Sequence, residues 1–419
     1  MASHSEPRTN PGLATRPARA RSIVAIGILG ILLAGSWVVW NADRNRRFDG
    51  RGGLSAYLDI ARDHPPAGRF PGDPYIGSKA CAECHPGEYA LFTGSGHAQT
   101  FRKAVERRVI DLLAGTSAGD PDQEGVRWAY EKKNGQFLIG REEAGKLEQK
   151  VVDYALGSGH HATTFVTVLD LDQFKILEHR LTYYTREHEL KTTPGQNAED
   201  QDTKSKPWGR ELQLRAARKC FRCHATQLSA HDDTVVDPRT MIPGVACERC
   251  HGPARPHVAA ARRGAPDKEL SMPVGLGSWT AESQFELCGK CHRHPSRVPP
   301  DKLVENDPTL ARFQPIGLSQ SKCFQGSGGR FTCVSCHDPH ARSSSDPAGY
   351  ERVCLSCHGT AGSTAAGAHP RDAHAVTAPA CPVSPARGCL PCHMPKVDSG
   401  QHVLFTDHWI RVQRQGQPH

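Results

Sequence analysis

Seven five-residue stretches repeat one arrangement of reactive side chains. They are CAECH (Cys81, Cys84, His85), CFRCH (Cys220, Cys223, His224), CERCH (Cys247, Cys250, His251), CGKCH (Cys288, Cys291, His292), CVSCH (Cys333, Cys336, His337), CLSCH (Cys354, Cys357, His358) and CLPCH (Cys389, Cys392, His393). They use 14 of the chain's 16 cysteines, whereas composition alone would supply roughly 0.03 such pentamers. Two thiols three positions apart can each add to one vinyl group of a porphyrin. The histidine beside the second then lies under the iron as its proximal ligand. The pattern therefore reads as covalent attachment of seven c-type haems. Zinc ribbons also use Cys-x-x-Cys pairs, and exported domains use disulfides, but neither needs histidine after every second cysteine.

A low-spin electron-transfer haem takes a sixth ligand, and the chain has 23 histidines but only four methionines. Histidine is the expected distal ligand. One that closely follows its own motif cannot easily reach around the porphyrin, so it is expected to ligate a neighbouring haem. This applies to His340 in CHDPH, His257 in CHGPARPH and, with a solvated side chain as the plainer reading, His294 in CHRH. His97 in GSGHAQTF and His408 in FTDHWIRV complete the principal distal set. One of His160 and His161 is a further candidate, with His402, His369, His374 and His231 behind it. The two cysteines outside the motifs, Cys323 and Cys381, could bridge across loops or remain a free thiol or ligand.

These ligands must be positioned by a chain with few aromatics (6%) and a modest hydrophobic fraction of 37%, so the haems themselves would supply much of the core. Residues 1–21 read as a cytoplasmic tail. Residues 22–40, SIVAIGILGILLAGSWVVW, are uncharged and about long enough to span a bilayer as a signal-anchor. A cleaved signal peptide is the alternative. Residues 41–75 read as a linker, 76–125 as a first haem segment with a helix over AQTFRKAVERRVIDLLAG, and 126–186 as a β insertion opening with a hairpin at Asn134-Gly135. Residues 187–419 read as a six-haem cytochrome region. The fold class expected is mainly α and irregular: a haem-packed multihaem cytochrome with a small β insertion and one N-terminal transmembrane helix. The place expected is the bacterial cytoplasmic membrane, single-pass, with the haem domain on the periplasmic side.

The formal net charge is +8, of which +5 belongs to residues 1–51. Seven ferric haems with ionised propionates would bring the remainder to roughly −4, so the basic balance does not indicate nucleic acid. Many Lys and Arg side chains are better read as propionate partners.

Several segments resemble the cytochrome c-554-like multihaem family. GSKACAECHPGEYALFTGSGHAQTF is similar to that family's first haem segment, and VACERCHGPARPH, TCVSCHDPH and GCLPCHMPKV with FTDHWIRV to recurrent segments of related cytochromes. The resemblance implies distal ligation by His97, His257, His340 and His408. The first functional reading is electron transfer by a membrane-anchored multihaem wire, with redox proteins or a quinol-oxidising membrane complex of the bacterial inner membrane as partners. The alternative role is a multihaem oxidoreductase acting on a small nitrogen or sulfur species at a haem without a distal protein ligand. A sensor or scaffold role is the third. No Cys-x-x-Cys-Lys occurs, so the lysine-ligated site of pentahaem nitrite reductases is not resembled.

Overall fold

Asn134 and Gly135 both take left-handed backbone angles (φ 51° and 72°), closing the tight hairpin expected between strands β3 (Val126–Lys133) and β4 (Gln136–Glu143). The computed structural model containing it describes residues 72–412. It omits 107, 171, 172, 174, 197–205, 231–235, 238, 239, 275–279, 360–380, 385, 400 and 401.

The hairpin belongs to a four-stranded antiparallel meander with β2 (Ser117–Gly119) and β5 (Lys146–Val152). A six-stranded antiparallel sheet follows, in the order β1 (Phe101–Lys103), β6 (Tyr154–Leu156), β7 (Ala162–Asp170), β8 (Lys175–Tyr184) and β10 (Gly209–Leu212); β9 (Glu189–Thr192) pairs with the second half of β8. The alternating burial of β3 places Val126, Trp128 and Tyr130 inward, where they meet Phe137, Ile139, Phe165 and Leu177 in one apolar cluster. Arg180 is buried inside this region and fully paired: Nε to Asp120 (2.9 Å), Nη2 to Asp122 (2.8 Å) and Nη1 to the carbonyl of Gln196 (2.7 Å).

The remaining elements are short. In chain order the helices are α1 (Ser78–Cys81), α2 (Pro86–Thr93), α3 (Arg108–Leu113), α4 (Leu214–His224), α5 (Cys247–His251), α6 (Arg255–Arg262), α7 (Ala281–His292), α8 (Gln314–Gln320), α9 (Lys322–Gly326), α10 (Cys333–Cys336), α11 (Pro347–His358) and α12 (Cys389–His393). Two ribbons, β11 (Ala225–Gln227) with β12 (Ile242–Pro243) and β13 (Lys396–Asp398) with β14 (Leu404–Thr406), complete the strands among the described residues.

Three expectations are corrected. First, the fold is not mainly α with a small β insertion. Strands run from Phe101 to Leu212, and they hold an apolar core of their own rather than borrowing one from haem. Second, the segment after the first motif does not form a single helix. Phe101–Lys103 pairs with Tyr154–Leu156, and only Arg108–Leu113 is α-helical, because Phe101 is drawn into the aromatic core against Tyr154 and Phe221. Third, the transmembrane helix and the single-pass location in a bacterial cytoplasmic membrane are not supported. Among the described residues no helix is long and apolar enough to cross a membrane. The longest have 12 residues, about 18 Å against a hydrocarbon core of about 30 Å. Residues 22–40 lie outside the described residues.

Candidate haem-binding cavity

In each motif a single helical turn does the positioning. Residues i, i+3 and i+4 share one helical face, so both sulfurs and the imidazole converge. The turn is visible in the backbone: His85 N donates to Cys81 O (2.8 Å) and His337 N to Cys333 O (3.1 Å). Helices α4, α5, α7, α11 and α12 each end on the motif histidine itself.

The helix starts are tied to one another by buried side chains. Glu248, inside the third motif, accepts from Ile76 N (3.0 Å), Gly77 N (2.8 Å) and Ala254 N (2.8 Å), so it caps α1 of the first motif. Ser78 Oγ returns the favour by accepting from Cys247 N (3.2 Å) at the start of α5. Gln284 on α7 accepts from Val334 N (3.3 Å) in the fifth motif, and Glu351 on α11 accepts from Cys389 N (2.9 Å) in the seventh. The Gly77, Ala254, Cys247, Val334 and Cys389 amides are orphan donors at helix starts, each satisfied by a side chain of another helix. The sequence reading missed all four residues. Glu248 lies between the cysteines of a motif, where any residue type is compatible with the pattern, so only its burial marks it.

One continuous cavity of about 2860 Å³ joins these elements. It is lined by both cysteines and the histidine of each of the first five motifs, by Cys354 of the sixth, and by Leu390 and Met394 beside the seventh. A pocket for one small ligand seldom exceeds about 1,000 Å³, so this space suits several large groups side by side. Cys357, His358, Cys389, Cys392 and His393 lie beyond its lining.

Sulfurs of different motifs meet across the cavity. Cys81 hydrogen-bonds Cys247, which pushes Cys81 up and brings Cys247 down to about 7. Cys223 hydrogen-bonds Cys291 and falls to about 6, while Cys291 rises. Cys288 and Cys333 form a third pair, the former raised and the latter lowered. Elsewhere burial lifts Cys220, Cys250 and Cys336 to about 11 and Cys354 to about 12.

The distal candidates fall at informative places. His340 and His251 have near-parallel ring planes with centroids 6.0 Å apart, His97 lies 6.3 Å from His292, and His408 lies 6.3 Å from His337. Two imidazoles sharing one metal, each nitrogen about 2 Å from it, have centroids roughly 6 Å apart. The three spacings therefore fit an iron between the rings, and each pair joins a proximal histidine to a histidine outside its own motif. Asp338 produces the turn at His340 by accepting from His340 N (2.9 Å). His257 lies on α6 and lines the cavity, with Nδ1 donating to Leu270 O (2.7 Å); α6 reaches the first motif through Arg262–Glu83 (2.7 Å).

A ligating imidazole must be neutral. Burial pushes His224, His251, His292 and His337 down from their ordinary values, and His408 down to about 4. Nδ1–H acceptors fix several rings: the carbonyl of Thr100 for His224 (3.0 Å), Gln314 Oε1 for His292 (3.1 Å), the carbonyl of Arg411 for His393 (3.0 Å) and that of Thr406 for His408 (2.9 Å).

Other candidates are used differently. His294 is engaged on both nitrogens, by Ser296 (2.7 Å) and Glu286 (3.4 Å), which suits the solvated reading. His160 and His161 line the cavity, the former held by Arg342 (2.9 Å). His402 packs on Tyr184. His231, His369 and His374 lie outside the described residues. Cys323 and Cys381 are both free thiols rather than a disulfide.

Residues 173–252 match the family described as cytochrome c554 and c-prime. That stretch runs from β8 through the second and third motifs. It bears out the resemblance to cytochrome c-554-like proteins and, with it, covalently bound haem c and a redox, electron-transferring role. No curated protein matches the chain. Among solved structures, the outer cell wall cytochrome OcwA is similar at 15% identity, covering 81% of this chain and 80% of that one, with a TM-score of 0.45. A likeness at that level carries no argument here.

Proposed function

We propose, from the family match and the cavity, that the chain is a heptahaem c-type cytochrome passing electrons between redox proteins. All seven motifs attach haem through their cysteines, and His85, His224, His251, His292, His337, His358 and His393 are the proximal ligands. His340 is the distal ligand opposite His251, His97 opposite His292, and His408 opposite His337. His257 serves the first motif, to whose Glu83 α6 is tied by Arg262.

Haem supplies reversible one-electron iron chemistry. The protein's part is to hold the rings neutral and oriented, to exclude water, and to keep neighbouring groups close. The observation carrying the reading is the set of three imidazole pairs at 6.0–6.3 Å, each assembled from two different segments. Histidine on both sides leaves no position for a substrate at those three irons, which favours electron transfer over chemistry there.

The adjacent motifs suggest the route. First and third are joined by Glu248 and Ser78, second and fourth by Cys223 and Cys291, fourth and fifth by Gln284, sixth and seventh by Glu351. Spatial order would then differ from chain order, with the third motif next to the first. Intact-mass measurement of the purified holoprotein tests the count: seven covalent haem additions are expected, and fewer would overturn it.

A further inference from the structure

Helix α8 carries no haem motif, yet it touches the ligands of two. At its first turn Gln314 Oε1 lies 3.1 Å from His292 Nδ1. Its middle is packed without a gap against the chain around His408. A Cβ placed on Gly317 would lie 2.6 Å from Trp409 N and 2.8 Å from His408 C, both backbone atoms that cannot swing aside. Just past its end, the fully buried Ser321 hydroxyl lies 3.1 Å from the His408 carbonyl and accepts from Ile410 N (2.8 Å). His408 Nδ1 is committed to Thr406 O, which leaves Nε2 for metal.

We propose that α8 is a positioning element for two neighbouring haem sites. Gln314 orients and tunes the proximal His292 of the fourth motif, while Gly317 and Ser321 seat His408 as the distal ligand opposite His337 of the fifth. The inference rests on the reading that both motifs carry haem. For His393 the Nδ1 acceptor is a backbone carbonyl, which substitution cannot remove, and His224 Nδ1 keeps a backbone carbonyl (3.0 Å) beside the Thr100 hydroxyl (2.8 Å). For His292 it is a side chain, so its effect can be reversed in sign. An acceptor on Nδ1–H makes the imidazole a stronger donor and stabilises the oxidised iron, lowering the potential.

The test uses purified holoprotein, with haem at Cys288/Cys291 and Cys333/Cys336 first verified by peptide mass. In a spectroscopic redox titration, Gln314→Leu should raise and Gln314→Glu should lower the midpoint of one and the same haem, with low-spin character kept. Gly317→Ala should convert a different haem from low-spin to high-spin in electron paramagnetic resonance. Ser321→Ala, which adds no atom, should perturb the low-spin signal of that second haem even where Gly317→Ala does not fold. Midpoints that stay fixed or move in the same direction in both Gln314 variants would overturn the first half. A wild-type low-spin spectrum in Ser321→Ala, and in Gly317→Ala where it folds, would overturn the second. Peptides without haem at either cysteine pair would overturn the haem assignment itself, and this inference with it.

Discussion

His251 and His340 lie with their rings parallel to within 7° and their centroids 6.0 Å apart. His251 belongs to the third motif and His340 lies just past the fifth, 89 residues further along the chain. His340 is only three residues beyond His337, yet the Asp338 turn aims it away from that neighbour and at the third motif.

The pairing predicts where damage appears. His340→Ala should remove the low-spin signal of the haem held by Cys247 and Cys250 and leave that of Cys333 and Cys336 intact. Electron paramagnetic resonance on the purified variant, compared with His408→Ala, separates the two. Loss at the fifth motif in His340→Ala would contradict the assignment.

Glu248→Ala would leave the amides of Ile76, Gly77 and Ala254 without their acceptor, two of them in buried contacts. At about 1–3 kcal/mol for each unsatisfied buried donor, a loss of about 3 kcal/mol or more is expected. Denaturant unfolding should register it, and limited proteolysis should open the chain around residues 72–85 first. Glu248→Gln keeps an acceptor oxygen and should cost markedly less.

Arg180 sits among Asp120, Asp122 and Gln196 with its side chain 1% exposed. Arg180→Met strands a buried carboxylate, and removal of one partner from such a pair costs about 3–5 kcal/mol. A large fall in melting temperature is expected, with the number of attached haems unchanged by mass.

His179 gives a pH dependence. Thr167 Oγ1 donates to Val151 O (2.6 Å), so it accepts from His179 Nε2–H (2.8 Å), leaving Nδ1 bare and buried. Burial, with a smaller push from Lys150, takes its pKa from 6.5 down to about 3. The unfolded chain therefore binds this proton first. Stability should fall as pH drops below 6.5, by about 1.4 kcal/mol per unit, and level off near 3. Asp153, raised by burial from 3.8 to about 6, works in the opposite sense between those values. The difference in melting temperature between wild type and His179→Gln isolates the histidine: the variant should lose less between pH 6.5 and 4, and parallel curves would refute the assignment.

Legibility in the sequence was uneven, and for physical reasons. The Cys-x-x-Cys-His units were legible because their pattern is local, needing only one helical turn such as that from Cys81 to His85. The Asn134-Gly135 hairpin was legible because left-handed turn residues are a local signal. That His340 should face a motif other than its own followed from reach alone, and its ring lies beside that of His251. The extent of the sheets did not follow, because β1 and β10 are three- and four-residue strands defined by partners 51 and 30 or more residues away, Tyr154–Leu156 and Ile176–His179. Glu248, Gln284, Glu351 and Gln314 carry no pattern at all; each is an ordinary polar residue until a neighbouring helix brings its unpaired donors or a ring nitrogen within reach.

By itself, then, the sequence determined where the seven Cys-x-x-Cys-His units stand, since that is a matter of spacing within five residues. Tertiary structure decided which histidine faces which, which motifs are neighbours, and how large the β region is. Those depend on contacts between segments as far as 182 residues apart, such as Arg342 with His160, where burial and the pairing of buried polar groups, rather than local spacing, select the arrangement.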